Sequence, residues 1–309
     1  MLRYIGQRFL SMVVTLWVIM TLTFFLMYAI PGSPLNQERN TNEAVQANLE
    51  AHYHLDKPVP VQYIYYLQNL IKLDLGPSIK QSQTTVNELL GRGFPVSFEL
   101  GFVSLTLALF SGVALGVFAA LRHNGLIDYT MMTLAVLGIS VPNFILATLL
   151  IQQVAVNWEI LPPARWSSWQ HMILPALALG TGPMAIIARL TRASMLEVLT
   201  QDYIRTARAK GLSPFTIVCK HALRNALLPV VTIMGSLVAA VLTGSFVIEK
   251  IFAIPGMGRY FVESINNRDY PVIMGTTIFY SALLILMLFI VDMIYGVLDP
   301  RIKLHKKGE

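Results

Sequence analysis

Apolar residues in this chain come in long uninterrupted runs, separated by short polar segments. Phe9 to Ile30 is a stretch of 22 residues without a charge. At 1.5 Å per residue such a helix spans roughly 33 Å, enough to cross the hydrocarbon core of a bilayer. Arg3 and Arg8 precede it, a layout shared with secretory signal peptides, but the run is long for one and Pro31 follows without an A-x-A pattern. The reading is an uncleaved first helix. Five further apolar runs cover approximately 96–121, 129–156, 173–190, 227–248 and 272–298. The pattern predicts an all-α polytopic membrane protein of six transmembrane helices.

Residues 31–95 interrupt this pattern with six acids (Glu38, Glu43, Glu50, Asp56, Asp74, Glu88) and five bases (Arg39, Lys57, Lys72, Lys80, Arg92). The most apolar part of the segment, Val59 to Ile71, is short and broken by Gln62, Gln68 and Asn69. It is expected to be an amphipathic surface helix, with Asp56 as N-cap and Pro58 in the first turn. The expected organisation is therefore a first helix within 1–30, an extracytoplasmic loop of mixed helical character at 31–95, a five-helix core at 96–298 and a tail at 299–309. Small residues recur at four-residue spacing as Ala108, Gly112 and Gly116, as Ala178 and Gly182, and as Gly235 and Ala239. Such spacing lets helix backbones approach closely in lipid. Pro142 and Pro183 lie inside apolar runs and are expected to bend their helices.

Composition supports the membrane reading. Of 309 residues, 55% are apolar and 13% charged, against about 25% charged in a soluble domain. The net charge of +6 would suit nucleic acid only if the bases clustered on a polar domain, and here they lie between apolar runs. Cys219 is the one cysteine, so no intramolecular disulfide forms. With the N-terminus inside, the inner segments hold 14 bases and the outer segments 9, or 4 once the long loop is set aside. Acids run the other way, 5 inside and 11 outside, and Trp158, Trp166 and Trp169 crowd one outer loop. Both termini are therefore expected in the cytoplasm.

The sequence carries no parts for chemistry of its own. It has no G-x-x-x-x-G-K-[ST], no H-E-x-x-H and no cysteine pair for a metal. His123, His171 and His221 lie at or beyond helix ends, and His52 and His54 read as exposed polar residues. Asp292 is the only carboxylate well inside a span, and a capping or pairing role near the helix end suits it. No enzyme, cofactor or metal is expected, and a pathway whose energy source lies elsewhere fits best. A secondary carrier or channel acting alone is the rival from a different class.

The stretch from Asp202 to Pro229, DYIRTARAKGLSPFTIVCKHALRNALLP, is too polar to span and too patterned for a passive loop. Gly211 can end one short helix in the left-handed conformation. Ser213 can cap the next, with Pro214 at its first position. Two helices around a corner at 211–213 read as a surface built for docking.

This segment resembles the ATPase-docking loop of permease subunits in ATP-binding-cassette importers, usually written E-A-A, three residues, then glycine. Arg205, Thr206 and Ala207 stand where E-A-A would, and Gly211 matches the glycine. The missing Glu and the longer spacing to Leu228–Pro229 are features of the dipeptide, oligopeptide and nickel branch. The resemblance extends through Pro31-Gly32-Ser33-Pro34, His54-Leu55-Asp56-Lys57-Pro58, Gln62-Tyr63, Asp74-Leu75-Gly76-Pro77-Ser78, Glu249, Pro255-Gly256-x-Gly258, Asn267-Arg268-Asp269-Tyr270 and Asp299-Pro300-Arg301. The long first outer loop is similar to that of the B-type permease, and the Asp74–Ser78 run and the Pro31–Pro34 opening lean towards oligopeptides over dipeptides or nickel. The resemblance implies a type I importer permease in the cell membrane. It implies a second homologous permease, two cytoplasmic ATPase subunits and an extracytoplasmic peptide-binding protein as partners. It places ATPase docking at about 191–226, with Arg205, Thr206, Ala207, Arg208, Lys210, Gly211 and Leu212 at its centre.

Overall fold

A computed structural model describes residues 2–29, 57–81 and 84–298 of the chain. Among the described residues every regular element is helical, and the one β contact is an isolated bridge between Pro77 and Thr85. In chain order the helices are α1 (Leu2–Ala29), α2 (Val59–Ile71), α3 (Val86–Leu121), α4 (Leu126–Ser140), α5 (Asn143–Leu150, continued as a π-helix over Ile151–Asn157) and α6 (Trp169–Leu199). They continue with α7 (Asp202–Ala209), α8 (Pro214–Ala226), α9 (Leu228–Gly244), α10 (Phe246–Ile251), α11 (Met257–Asn267) and α12 (Tyr270–Leu298).

Four of these, α1, α3, α6 and α12, are long and apolar enough to cross a membrane singly, and two bent pairs bring the number to as many as six. One pair joins α4 to α5 through a 107° corner, the other joins α8 to α9 at 53°. The expected bend at Pro142 is a complete break: α4 stops at Ser140 and α5 starts afresh after Pro142. Proline cannot donate to the preceding turn, and it pushes Val141 into an extended conformation (φ −87°, ψ 121°). Pro183 acts otherwise. It lies with Pro175 inside the continuous α6, where packing against neighbouring helices holds the segment helical.

Helix boundaries differ from the apolar runs in one direction. α3 begins at Val86, ten residues before its run, and α6 continues to Leu199 past Arg192 and Glu197. Hydropathy marks the part of a helix that suits lipid, whereas backbone hydrogen bonding carries the same helix into polar surroundings. The apolar run at 227–248 is likewise split, into α9 and the short α10.

The chain divides into two compact units, Met1–Ser97 with Pro255–Phe289, and Phe98–Ile254 with Ile290–Glu309. In the first unit α2 rests on α1. Phe24 is buried, with ring centroids 4.6 Å from Tyr28, 5.2 Å from Tyr63 and 5.3 Å from Tyr66. The Thr21 and Tyr63 hydroxyls meet at 2.6 Å, and Tyr28 donates to Gln62. The α2 cap falls at Pro58, with Pro60 inside the first turn. Asp56, the Pro31–Pro34 opening, His52, His54, the tail at 299–309 and the Asp292 side chain lie outside the described residues.

A second feature of this unit is a buried carboxylate at the α11–α12 corner. Arg268 takes a left-handed conformation at φ 54°, and the next residue, Asp269, is 3% exposed. Asp269 accepts hydrogen bonds from the Ser78 hydroxyl at 2.5 Å and from the Ile79 and Lys80 backbone N–H groups at 3.2 Å each. Asp269→Ala is expected to leave the Ser78 hydroxyl and the Ile79 N–H without this acceptor, at about 1–3 kcal/mol for a buried group, while the Lys80 N–H keeps its bond to the Ser78 oxygen at 3.2 Å. Amide exchange at Ile79 should rise at least several-fold, and unchanged protection there would show that the loop is held elsewhere.

In the second unit α6 is the central helix. Leu174, Ala176, Ala178, Leu179, Ala185, Ile187 and Ala188 along it are all buried. Gly112 and Gly116 of α3 meet it backbone to backbone: an added Cβ would lie 2.7 Å from the Met184 carbonyl oxygen at Gly112 and 2.6 Å from that of Ala188 at Gly116. Gly180 makes the reciprocal approach to Ser104 of α3, at 2.8 Å from its carbonyl oxygen. Gly182, by contrast, has open space on its Cβ side, so its four-residue spacing from Ala178 does not mark a helix contact in this chain.

Candidate functional site

The segment from Asp202 to Ala226 forms a helical corner whose geometry follows from its sequence. α7 ends in a paired cap. The Leu212 N–H donates to the Ala207 carbonyl at 3.3 Å and the Gly211 N–H to the Arg208 carbonyl at 3.0 Å. These two bonds define the Schellman arrangement, which needs a left-handed residue at the position of Gly211, and Gly211 has φ +77°. Two residues on, the Ser213 hydroxyl accepts from the Thr216 N–H at 3.3 Å and caps α8, with Pro214 at its first position. Between them the caps satisfy backbone groups at both helix ends and fix the angle of the chain.

The corner is anchored by its apolar face. Ile204 and Ala207 of α7 and Ile217, Ala222 and Ala226 of α8 are buried together with Met195 of α6 and Ala120 of α3. Leu196, Val198 and Leu199 pack around them. The i, i+3 spacing of Ile204 and Ala207 places both on the same side of α7. A further tie between the two helices is the Asn225 amide, which donates to the Tyr203 hydroxyl at 2.8 Å. α6 thus serves as the stem of the corner.

Of the residues singled out from sequence, Arg205, Thr206, Arg208, Lys210, Gly211 and Leu212 are exposed around the corner, while Ala207 is buried in the core beneath. Ala207 is therefore a spacer that lets α7 sit close to α8. Sequence reasoning missed Phe215, which is 76% exposed beside Ser213. Arg205 lies 3.4 Å from Asp202, both well exposed, and so contributes little to stability. Among the described residues no group of three or more His, Cys, Asp or Glu is placed to hold a metal.

Sequence reasoning also missed a charged cluster above the corner. Arg192 on α6 donates to Asp128 at the start of α4 through Nε at 2.5 Å and Nη2 at 2.7 Å. Asp128 is buried, accepts from the Asn124 N–H at 3.0 Å and lies 3.4 Å from His123.

Residues 112–304 match the family of binding-protein-dependent transport system inner membrane components, and residues 1–99 match the N-terminal region of such membrane components. The dipeptide transport system permease of Bacillus subtilis is 70% identical over 308 residues, covering both chains entirely. The oligopeptide transport system permease of Haemophilus influenzae is 45% identical over 305 residues, with 98% of this chain and the whole of that one covered. Among solved structures, the inward-facing MetNI methionine ABC transporter aligns with a TM-score of 0.57 at 22% identity, over 68% of this chain and 96% of that one. At that identity the likeness speaks for the fold.

Proposed function

Since the chain belongs to the family of binding-protein-dependent transport permeases, as a B-type peptide permease of ATP-binding-cassette importers, we propose that it forms half of a membrane pathway for peptides. The family implies an ATPase and a substrate-binding protein as partners, and on this reading their number is two cytoplasmic ATPases and one outer binding protein, around this chain and a homologous permease. ATP hydrolysis belongs to the partners and the chain supplies the route. Relatives bearing dipeptide and oligopeptide names both align along the full chain. The lean of the Asp74–Ser78 run towards oligopeptides stands beside a higher identity to a dipeptide permease. We assign peptides as the cargo and leave their length to the binding protein, which meets them first.

The corner at Gly211 carries this reading. A surface that receives mechanical work must be rigid, and two caps and a shared core make it so. Arg205, Arg208 and Lys210 offer positive charge to acids on an ATPase, and Leu212 and Phe215 offer apolar contact. With the corner on the cytoplasmic side the termini lie there too, in line with the count of bases. ATPase closure would push the corner, α6 would follow, and the pathway would alternate between outward and inward access.

The test is reconstitution in proteoliposomes. The full importer should take up peptide in an ATP-dependent way, and this chain alone should not. ATP-independent uptake by the chain alone would favour a secondary carrier. Within the full importer, reversing Arg205, Arg208 and Lys210 together to Glu should weaken co-purification of the ATPase by about tenfold or more, the equivalent of ~1.4 kcal/mol. Single alanine changes should do little. An unaltered yield of ATPase with the triple variant would remove charge from the docking argument.

A further inference from the structure

We infer that Arg192 and Asp128 form a coupling clamp, a positioning pair that makes α4 move with the docking corner. The inference rests on the importer reading above. Arg192 grips both carboxylate oxygens of Asp128, at 2.5 and 2.7 Å, the bidentate geometry that fixes orientation as well as distance. The Asp128 side chain is 2% exposed and that of Arg192 25%, so solvent does little to loosen the pair. The carboxylate is held from its own side by the Asn124 N–H at 3.0 Å, in a loop where Asn124 adopts φ 58°. His123 closes the cluster: its ring lies 3.3 Å from the Arg192 guanidinium and 3.4 Å from Asp128.

The position of the pair gives it a task that a simple fold staple would not have. Arg192 stands less than one turn before Met195, which is fully buried in the core that anchors α7 and α8. On the same turn α3 is pressed against α6, since a Cβ on Gly116 would lie 2.6 Å from Thr191 Cβ and 3.0 Å from the Arg192 nitrogen. The corner, the α6 stem and the end of α3 are therefore one packed body at this level. α4 is different. Its far end is the Ser140–Pro142 break, where the chain turns by 107° into α5. Packing holds the corner end of α4 to α6, and an oriented polar contact at the other end fixes how the helix follows the stem. The charged groups at the start of α4 supply that contact, through α6, whose Met195 lies in the core under the docking helices.

The pair can be tested in the complete importer, reconstituted with its partner subunits. Arg192→Gln and Asp128→Asn are expected to lower peptide taken up per ATP hydrolysed by about tenfold or more, equivalent to ~1.4 kcal/mol, in complexes assembled to normal levels. Arg192→Lys, which keeps the charge but not the fork, should recover part of the ratio. The Arg192→Gln/Asp128→Asn double variant should be no worse than either single change, because both remove one interaction. In addition, spin labels at the exposed positions Leu134 on α4 and Arg189 on α6 should keep one distance with and without ATP, and Arg192→Gln should make that distance depend on nucleotide. An unchanged transport ratio in the assembled single variants, or an α4–α6 distance that already shifts with nucleotide in the unmutated clamp, would overturn the inference. Should a single variant fail to assemble, Arg192→Lys carries the same two readouts, and a ratio and distance equal to those of the unmutated importer would overturn the inference. Failure of the importer reading itself would look different: the unmutated complex would show no ATP-driven uptake.

Discussion

Replacing Gly211 with proline is expected to abolish coupled uptake while leaving the chain in the membrane. Proline holds φ near −65° and has no N–H. The position requires φ +77° and an N–H that donates to the Arg208 carbonyl at 3.0 Å. Both the turn and the cap are lost, a cost of about 3 kcal/mol or more confined to the corner. The transmembrane helices do not depend on that cap, so membrane abundance should stay near the wild-type level. Uptake should fall by about tenfold or more, since each ~1.4 kcal/mol is worth one factor of ten. ATP hydrolysis, if it persists, should no longer follow the presence of peptide. A control separates backbone from bulk. No atom lies within 4 Å of a Cβ built on Gly211, so Gly211→Asn, which tolerates the left-handed region, should keep most of the activity. Wild-type uptake by an assembled Gly211→Pro importer would refute docking at this corner.

The second large effect is expected at Gly116, where Ala should destabilise the permease although it adds only a methyl group. That methyl would sit 2.6 Å from the Ala188 carbonyl oxygen and 2.6 Å from Thr191 Cβ. The obstacle includes α6 backbone, which cannot rotate aside, so α3 and α6 must separate along their length. Overpacking of this kind costs about 1–3 kcal/mol. Separation also strips contact from the Met195 and Ala120 end of the docking core. Gly182→Ala provides the contrast: its Cβ side is open, and alanine is the better helix former by about 1 kcal/mol. Thermal unfolding in detergent should therefore move down for Gly116→Ala and stay level or move up for Gly182→Ala. Equal behaviour of the two would mean that the close approach of α3 to α6 carries no weight in stability.

These two glycines illustrate how far the chain could be read from its letters. Gly211 was legible because a helix cap is a local event. Glycine, serine and proline at 211, 213 and 214 each answer to the dihedral angles of their own residues, and neighbours in sequence suffice to specify the turn. Gly116 was legible only as one of several small residues, and the same spacing that marks a contact at Gly112 and Gly116 marks none at Gly182. Which small residue faces a neighbour depends on the rotation of the helix about its axis, and tertiary packing sets that rotation.

What the sequence determined by itself was therefore the membrane class, the amphipathic α2 and the geometry of the Gly211 corner, all written in local patterns of hydropathy and backbone preference. The tertiary structure alone decided that Pro142 breaks its span while Pro183 does not, that α6 is both the central helix and the stem of the corner, and that Arg192 and Asp128 meet across 64 positions of chain. The reason is physical. A charge reads in sequence as a preference for water, and only the fold reveals that a guanidinium and a carboxylate have been brought together to satisfy one another out of it.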